Sequence, residues 1–223
     1  MFLNQIAARR RTARTLKGTT LTAFAIAFFA SYFAVLHAGI FATTVMPVTV
    51  VDRWIGFQPW SIAFYLSLWV YVACAPVLVP DRRQLAAYLT TATGMALVGL
   101  AIFVVWPTRT PTLAADAATH PAVAWLHGTD HGYNACPSLH AAFSVLTAGW
   151  LERILRACGA PRLLRLINIC WAVGIVYSTI ATNQHVALDT LAGVALGGGT
   201  LIMERAFAWR HRAGVNQKKS TAT

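Results

Sequence analysis

Residues 85–106 read LAAYLTTATGMALVGLAIFVVW and carry no charged side chain. A helix needs about 20 consecutive, mostly apolar residues to cross the hydrocarbon of a bilayer, so this stretch can span one by itself. Five further stretches qualify, at 19–42, 60–79, 137–155, 163–181 and 186–209. The expected fold is therefore all-α, a polytopic membrane protein with six transmembrane helices. Its compact membrane unit would occupy 19–209, between basic tails at 1–18 and 210–223. Composition agrees: 57% of the residues are hydrophobic and 11% charged, whereas charge nears a quarter in soluble domains.

The basic residues give this layout a direction. Arg9, Arg10, Arg11, Arg14 and Lys17 precede the first span, and Arg82 and Arg83 separate the second from the third. Arg153, Arg156, Arg162 and Arg165 flank the fourth-to-fifth connection, and Arg205, Arg210, Arg212, Lys218 and Lys219 end the chain. Together these hold 16 of the 18 basic residues, leaving Arg53 and Arg109 for the other side. The positive-inside rule then puts both termini in the cytoplasm. An excess of 18 basic over 7 acidic residues could signal a nucleic-acid binder in a soluble protein. Distributed between apolar runs it signals topology, and no nucleic-acid partner is expected. The first span is too long and too basic at its start for a cleaved signal peptide; it reads as a retained anchor, preceded by a short interfacial helix on Phe2, Leu3 and Ile6. The pattern suits a bacterial inner membrane, with the opposite face towards the periplasm or the outside.

Several features read as structural. Trp54, Trp60 and Trp106 fall at the outer interface and Trp209 at the inner one, as aromatic belts do. Gly193, Gly197, Gly198 and Gly199 permit close helix contact in the last span. Cys74, Cys136, Cys158 and Cys170 form no CxxC or zinc-type pattern.

The polar residues that remain gather on the outer side. The fourth span opens with Pro137-Ser138-Leu139-His140, where Pro137 suits a first helical turn. The fifth ends at Tyr177-Ser178-Thr179, and Thr182-Asn183-Gln184 leads to His185, with Asp189 four residues on. An ionisable residue inside a span is costly and is a functional candidate by default. Asp189 has no basic neighbour in sequence, but His185 lies one turn away on the same helix face. A carboxylate that accepts from one imidazole nitrogen fixes the tautomer and raises the basicity of the other, which becomes a competent nucleophile. His140, at the same depth, can protonate a departing oxygen and later deprotonate an acceptor hydroxyl. Ser138 could add a hydroxyl donor, and the helix start free amides, to an anion held there.

Other readings use the same residues. Each histidine could merely cap a helix or bond a loop. His120, His127, His131 and Asp130 in the long outer link could ligate zinc, although their spacing matches no common structural pattern and no metal or other cofactor is expected. A transporter or scaffold could bind a lipid head group on this polar rim without chemistry. A carboxylate-oriented imidazole serves catalysis better than mere binding.

PSLH at 137–140, with Ser178-Thr179, His185 and Asp189 spaced as they are, resembles the type 2 phosphatidic acid phosphatase superfamily. Its second motif reads PSGH; its third is Ser-Arg, five residues, His, three residues, Asp. The resemblance implies that His185 is the nucleophile that forms a phosphohistidine, Asp189 its orienting partner and His140 the acid for the leaving group. It implies phosphate contacts from Ser138 and Ser178, with Thr179 standing where the family has arginine. The first motif, a lysine with Arg-Pro seven residues on, is absent as written, and Arg109 is its nearest counterpart. Leu139 and the STIATNQH stretch look more like the inositol phosphorylceramide synthase branch, which, like the related sphingomyelin synthases, moves a phospho-head-group between lipids. The expected partners are thus a lipid substrate, a lipid alcohol as acceptor, and the membrane itself.

Overall fold

The computed structural model describes residues 2–38, 41–112, 117, 119–130 and 132–220, with the backbone alone at 38, 127, 129, 130 and from 208 onward. It is 79% helical, as the apolar runs predict. A short helix α1 (Phe2–Arg11) precedes α2 (Arg14–Ala38), and a six-residue helix α3 (Val50–Ile55) leads through a 3-10 turn at Pro59–Ser61 into α4 (Ile62–Leu78). Then come α5 (Arg82–Val105), α6 (Pro121–Asp130), α7 (Leu139–Ala157), α8 (Arg162–Ala181) and α9 (Ala187–Ser220). Each of the six long apolar stretches is helical over most of its described length. Among the described residues four helices, Arg14–His37, Pro59–Leu78, Arg82–Val105 and Arg162–Ala181, are long and apolar enough to cross a membrane.

The other two, α7 and α9, have reasons to be less apolar. Helix α7 packs against α4, α8 and α9, and most of its residues are buried. Enclosed by other helices, it can carry Ser144, Thr147 and Glu152 without facing lipid. The apolar half of helix α9 contains four glycines, which lower its hydropathy. Two of them are packed tightly: a Cβ on Gly193 would lie 2.1 Å from the Ser138 carbonyl oxygen, and one on Gly197 would lie 2.5 Å from that of Ala142. Close backbone approach is what small residues give a helix pair, so these two serve packing, whereas Gly198 and Gly199 meet nothing within 4 Å.

Helix boundaries depart from the apolar limits where polar groups find partners. Helix α2 starts at Arg14 and so takes in Lys17, which the sequence places in a basic tail. Lys17 is 2% exposed, and its ammonium donates to the carbonyls of Arg9 at 2.7 Å and of Val77 and Val79 at 2.8 Å. Those last two are orphan acceptors at the end of α4, so Lys17 caps that helix and ties α1 to it. The last helix runs on into the basic C-terminal tail: α9 continues to Ser220, because no proline interrupts it and Arg, Lys and Gln are good helix formers.

Lys17→Met should therefore destabilise the protein. It leaves three carbonyls, that of Val79 buried, without their charged donor, a loss of about 3 kcal/mol, or roughly 6–12 °C in Tm for a chain of this size. Thermal unfolding in detergent tests this, with Arg10→Met, an exposed neighbour in the same basic run, as the reference. Equal Tm for wild type and Lys17→Met would remove the capping role.

Several interior polar groups are paired across helices. Pro76 lies inside α4 and lacks an N–H for the Val72 carbonyl; the Tyr88 hydroxyl of α5 donates to that carbonyl at 3.3 Å instead. The Tyr71 hydroxyl donates to Asn168 Oδ1 at 2.8 Å, and Asn168 Nδ2 donates to the Ala148 carbonyl at 3.1 Å, joining α4, α8 and α7. Phe24 and Phe28 of α2 meet Phe143 of α7 edge-on. At the basic ends of α7, α8 and α9, Arg153 pairs bidentately with Glu204 at 2.9 and 2.8 Å, and Arg165 pairs with Glu152 at 2.6 Å.

At the opposite end the connections form a small lattice. Strand β1 (Thr44–Val45) pairs in parallel with β2 (Thr108–Arg109), and Arg109 also bridges Tyr133. Thr108 Oγ1 accepts from the Cys136 amide at 2.8 Å, so this two-stranded element fixes the entry to α7. Trp54, Trp60 and Trp106 at this end are 86%, 58% and 45% exposed, as aromatic belt residues should be.

Candidate active site

The start of α7 is set by Ser138. Its Oγ accepts from the Ala141 amide at 3.3 Å as an N-cap, a position that favours serine. Pro137 therefore precedes the cap and does not occupy the first helical turn, which corrects the sequence expectation. The Ser138 amide donates to the Asp189 carbonyl at 2.9 Å, and Gly193 removes the bulk that would keep the two backbones apart. Two residues after that contact, His140 stands in the first turn of α7.

Across from it, α8 gives way to α9 through a tight turn. Asn183 takes φ +57°, a left-handed conformation that asparagine tolerates better than most residues, and its amide donates to Ile180 O at 2.9 Å. The His185 amide then donates to the Thr179 carbonyl at 2.9 Å. This places the His185 ring over the first turn of α9, where its Nδ1 lies 3.2 Å from Asp189 Oδ2. An ionised carboxylate only accepts, so a hydrogen bond to ionised Asp189 requires the proton on Nδ1 and leaves Nε2 as the nitrogen free of the carboxylate. Asp189 is fully buried and His185 is 8% exposed. The His140 and His185 rings are 5.6 Å apart between centroids, so the three residues converge as their spacing and depth suggest.

His140 is held by aromatic rings that sequence reading did not associate with it. Tyr65 of α4 stacks on it at 4.6 Å and 25°, and Trp69, one turn on, meets it edge-on at 5.9 Å. The i, i+4 spacing of an aromatic pair on α4 was the available signal, yet which helix faced His140 was not readable.

The remaining candidates are placed differently. Ser178 and Thr179 are fully buried, and their hydroxyls donate to the helix carbonyls of Ile175 and Val176 at 2.7 Å. Thr179 also meets Thr190 Oγ1 at 3.0 Å, linking α8 to α9. Arg109 is half-buried on β2, one residue before Thr110, which lines a cavity of about 280 Å³ beside His185. Asp52, Arg53, Phe57 and Asn183 share that wall.

Among the described residues no group of three or more His, Cys, Asp or Glu side chains could hold a metal. The side chains of His127 and Asp130, and His131 entirely, lie outside them. His120 meets Phe57 edge-on at 5.9 Å.

Asp52 is the residue that sequence reading missed most completely. Its Oδ1 accepts from the Ala187 amide at 2.6 Å, the first residue of α9 and two beyond His185. Its Oδ2 accepts from the Thr49 amide and hydroxyl at 2.6 and 2.7 Å. Helix α3 is thus fastened beside the cavity by a contact of long sequence separation.

No curated protein and no solved structure matches the chain. The family model described as PAP2 superfamily does match, over residues 48–203. That span runs from the entry to α3 to the middle of α9, and takes in His140, His185 and Asp189. Because it covers well over half of the sequence, the chain belongs to the PAP2 superfamily, the type 2 phosphatidic acid phosphatases and their relatives.

Proposed function

We propose that this protein is an integral membrane phosphotransferase acting on a phospholipid through a phosphohistidine, with phospho-head-group transfer favoured over simple hydrolysis. Superfamily membership supports a lipid phosphatase-type activity. The observation that carries the covalent mechanism is the buried His185–Asp189 couple, 3.2 Å between Nδ1 and Oδ2, facing His140.

In this reaction His185 Nε2 attacks phosphorus. As the N–P bond forms, the P–O bond to the leaving alcohol breaks, and His140 gives its proton to the departing oxygen. An acceptor alcohol next passes its proton to His140 and attacks phosphorus, which breaks the N–P bond and frees His185. Water in place of the alcohol gives hydrolysis. Ser138 keeps its hydroxyl proton while capping α7, and so can donate to a phosphate oxygen. Ser178 and Thr179 act on the phosphate by turning their hydroxyls away from the helix carbonyls, and Arg109 contributes charge from β2. Thr179 in place of the family's arginine leaves the site short of one cation. A phosphodiester carries one negative charge where a monoester carries nearly two, so dipoles and fewer guanidiniums can serve it. This favours the head-group transfer of the inositol phosphorylceramide synthase branch.

The membrane layout of the proposal is six spans within 19–209, both termini in the cytoplasm and the site at the outer face, in a bacterial inner membrane. Leu191, Ile202 and Met203 of α9 are 64%, 69% and 62% exposed, an apolar perimeter that suits lipid. Reporters fused after Ala42, Trp125 and Gln184 should face outward, and those after Arg83, Cys158 and Arg212 inward. An inward signal at Trp125 would overturn the outer placement. For the chemistry, a phospholipid radiolabelled in its phosphate should leave label on the protein after an alkaline quench, and acid should release it. With ceramide or diacylglycerol present, label should pass to the alcohol faster than to water. Rapid release of inorganic phosphate from phosphatidic acid would sink the diester preference while leaving the histidine mechanism intact.

A further inference from the structure

The outer helix α3 is built so that one face meets the cavity and the other meets the membrane interface. Val50, Val51 and Trp54 are 72%, 48% and 86% exposed, an apolar and aromatic set of the kind that sits among lipid head groups. Asp52 turns inward and spends both carboxylate oxygens on Thr49 and on the Ala187 amide. Between them, Arg53 lines the cavity that contains His185. Among the described residues its guanidinium has no ion pair, since its acidic neighbour is already committed elsewhere. Arg53 and Arg109 are also the only basic residues outside the cytoplasmic segments of the expected topology, and only Arg53 is in the cavity wall.

From this geometry we infer that Arg53 binds the phosphorus oxyanion of the substrate, and that Asp52 is the positioning residue that holds Arg53 beside His185. The inference rests on the proposed phosphoryl chemistry and adds a cation that lies outside the family's motifs. Arg53 is suited to the task because a guanidinium presents paired donors to two oxygens of one phosphate. The apolar face of α3 holds it at the depth of lipid phosphates. The Asp52–Ala187 bond makes the distance between Arg53 and the His185 turn a property of the fold and not of a loose loop. The ligand chemistry is a tetrahedral phosphorus oxyanion with at least one negative charge, borne on a lipid or free.

Binding is read from the shift in Tm of the purified full-length protein in detergent, titrated with two probes. Orthovanadate represents the free oxyanion. Dioctanoyl phosphatidylglycerol represents the lipid-borne one, with uncharged dioctanoylglycerol as its reference. Wild type should be stabilised by vanadate, and more by the phospholipid than by its uncharged counterpart. Arg53→Gln should weaken both effects, with probe affinity about tenfold lower or more, and Arg53→Lys should recover part of it. Loss confined to one probe identifies whether the free or the lipid-borne oxyanion is the ligand, and supports the assignment either way. Without probe, the Arg53 variants should unfold at the wild-type temperature; a lowered baseline would make Arg53 structural and overturn the inference. Wild-type affinity for both probes in Arg53→Gln would overturn it while leaving the His185 site standing. If wild type itself bound neither probe, the phosphoryl reading of the cavity would fall, and this inference with it.

Discussion

His185→Ala should reduce turnover by at least about a thousandfold and abolish the acid-labile label. In the proposed scheme no other group can take the phosphoryl, and loss of an attacking residue removes the whole covalent path. Asp189→Asn should leave the fold intact, because the amide fills the same space. Its activity should nonetheless fall on the order of a thousandfold. An amide cannot select the Nδ1-protonated tautomer as an acceptor-only carboxylate does, and it removes the charge that stabilises the imidazole as it attacks. His140→Ala should behave differently from both: label should accumulate slowly with a poor leaving group such as diacylglycerol, and nearly normally with a substrate bearing a p-nitrophenol leaving group. That leaving-group dependence separates an acid from a residue that merely packs against His185. If His185→Ala kept near-normal turnover, the covalent mechanism would be wrong, whatever the other two variants did.

How far these residues could be found without coordinates depends on how their partners lie along the chain. His185 and Asp189 are four residues apart, so helical periodicity alone puts them on one face, and their 3.2 Å contact is local. His140 is distant in sequence, but depth in an apolar span locates it at the same end, and the 5.6 Å ring separation follows from packing that the glycines permit. The long apolar helices were legible for the same reason, since apolar length is a one-dimensional property. Their ends were less so. Lys17 reads as a tail charge unless one knows that the carbonyls of Arg9, Val77 and Val79 surround it. Arg53 was visible as one of two basic residues outside the segments expected to be cytoplasmic, yet nothing in the sequence near it indicates the cavity. The Asp52–Ala187 bond joins residues 135 positions apart, and no periodicity reports such a contact. The same holds for Tyr65 and Trp69 against His140, and for the two-residue strands that pair Thr44 with Thr108.

Gly193→Ala should produce a loss comparable to that of a catalytic variant, although the residue touches no substrate. A Cβ there would stand 2.1 Å from the Ser138 carbonyl oxygen and 3.0 Å from the Ala141 Cβ. The nearest obstacle is backbone, so no rotamer change can relieve it, and α7 must move away from α9 by about 1 Å to restore van der Waals contact. Ser138 is tied to α9 through its amide bond to the Asp189 carbonyl, and His140 lies only two residues beyond. The shift therefore acts directly on the geometry between His140 and His185. Displacements of about 1 Å can cost a hundredfold in rate, so a loss of about that size is expected in head-group transfer, with a measurable fall in Tm. Gly198→Ala is the matched control: nothing lies within 4 Å of its Cβ position, and alanine is the better helix former by about 1 kcal/mol. It should keep wild-type activity and unfold no earlier. Should Gly193→Ala retain both activity and Tm, the close approach of α7 and α9 could not be what sets the spacing of the two histidines.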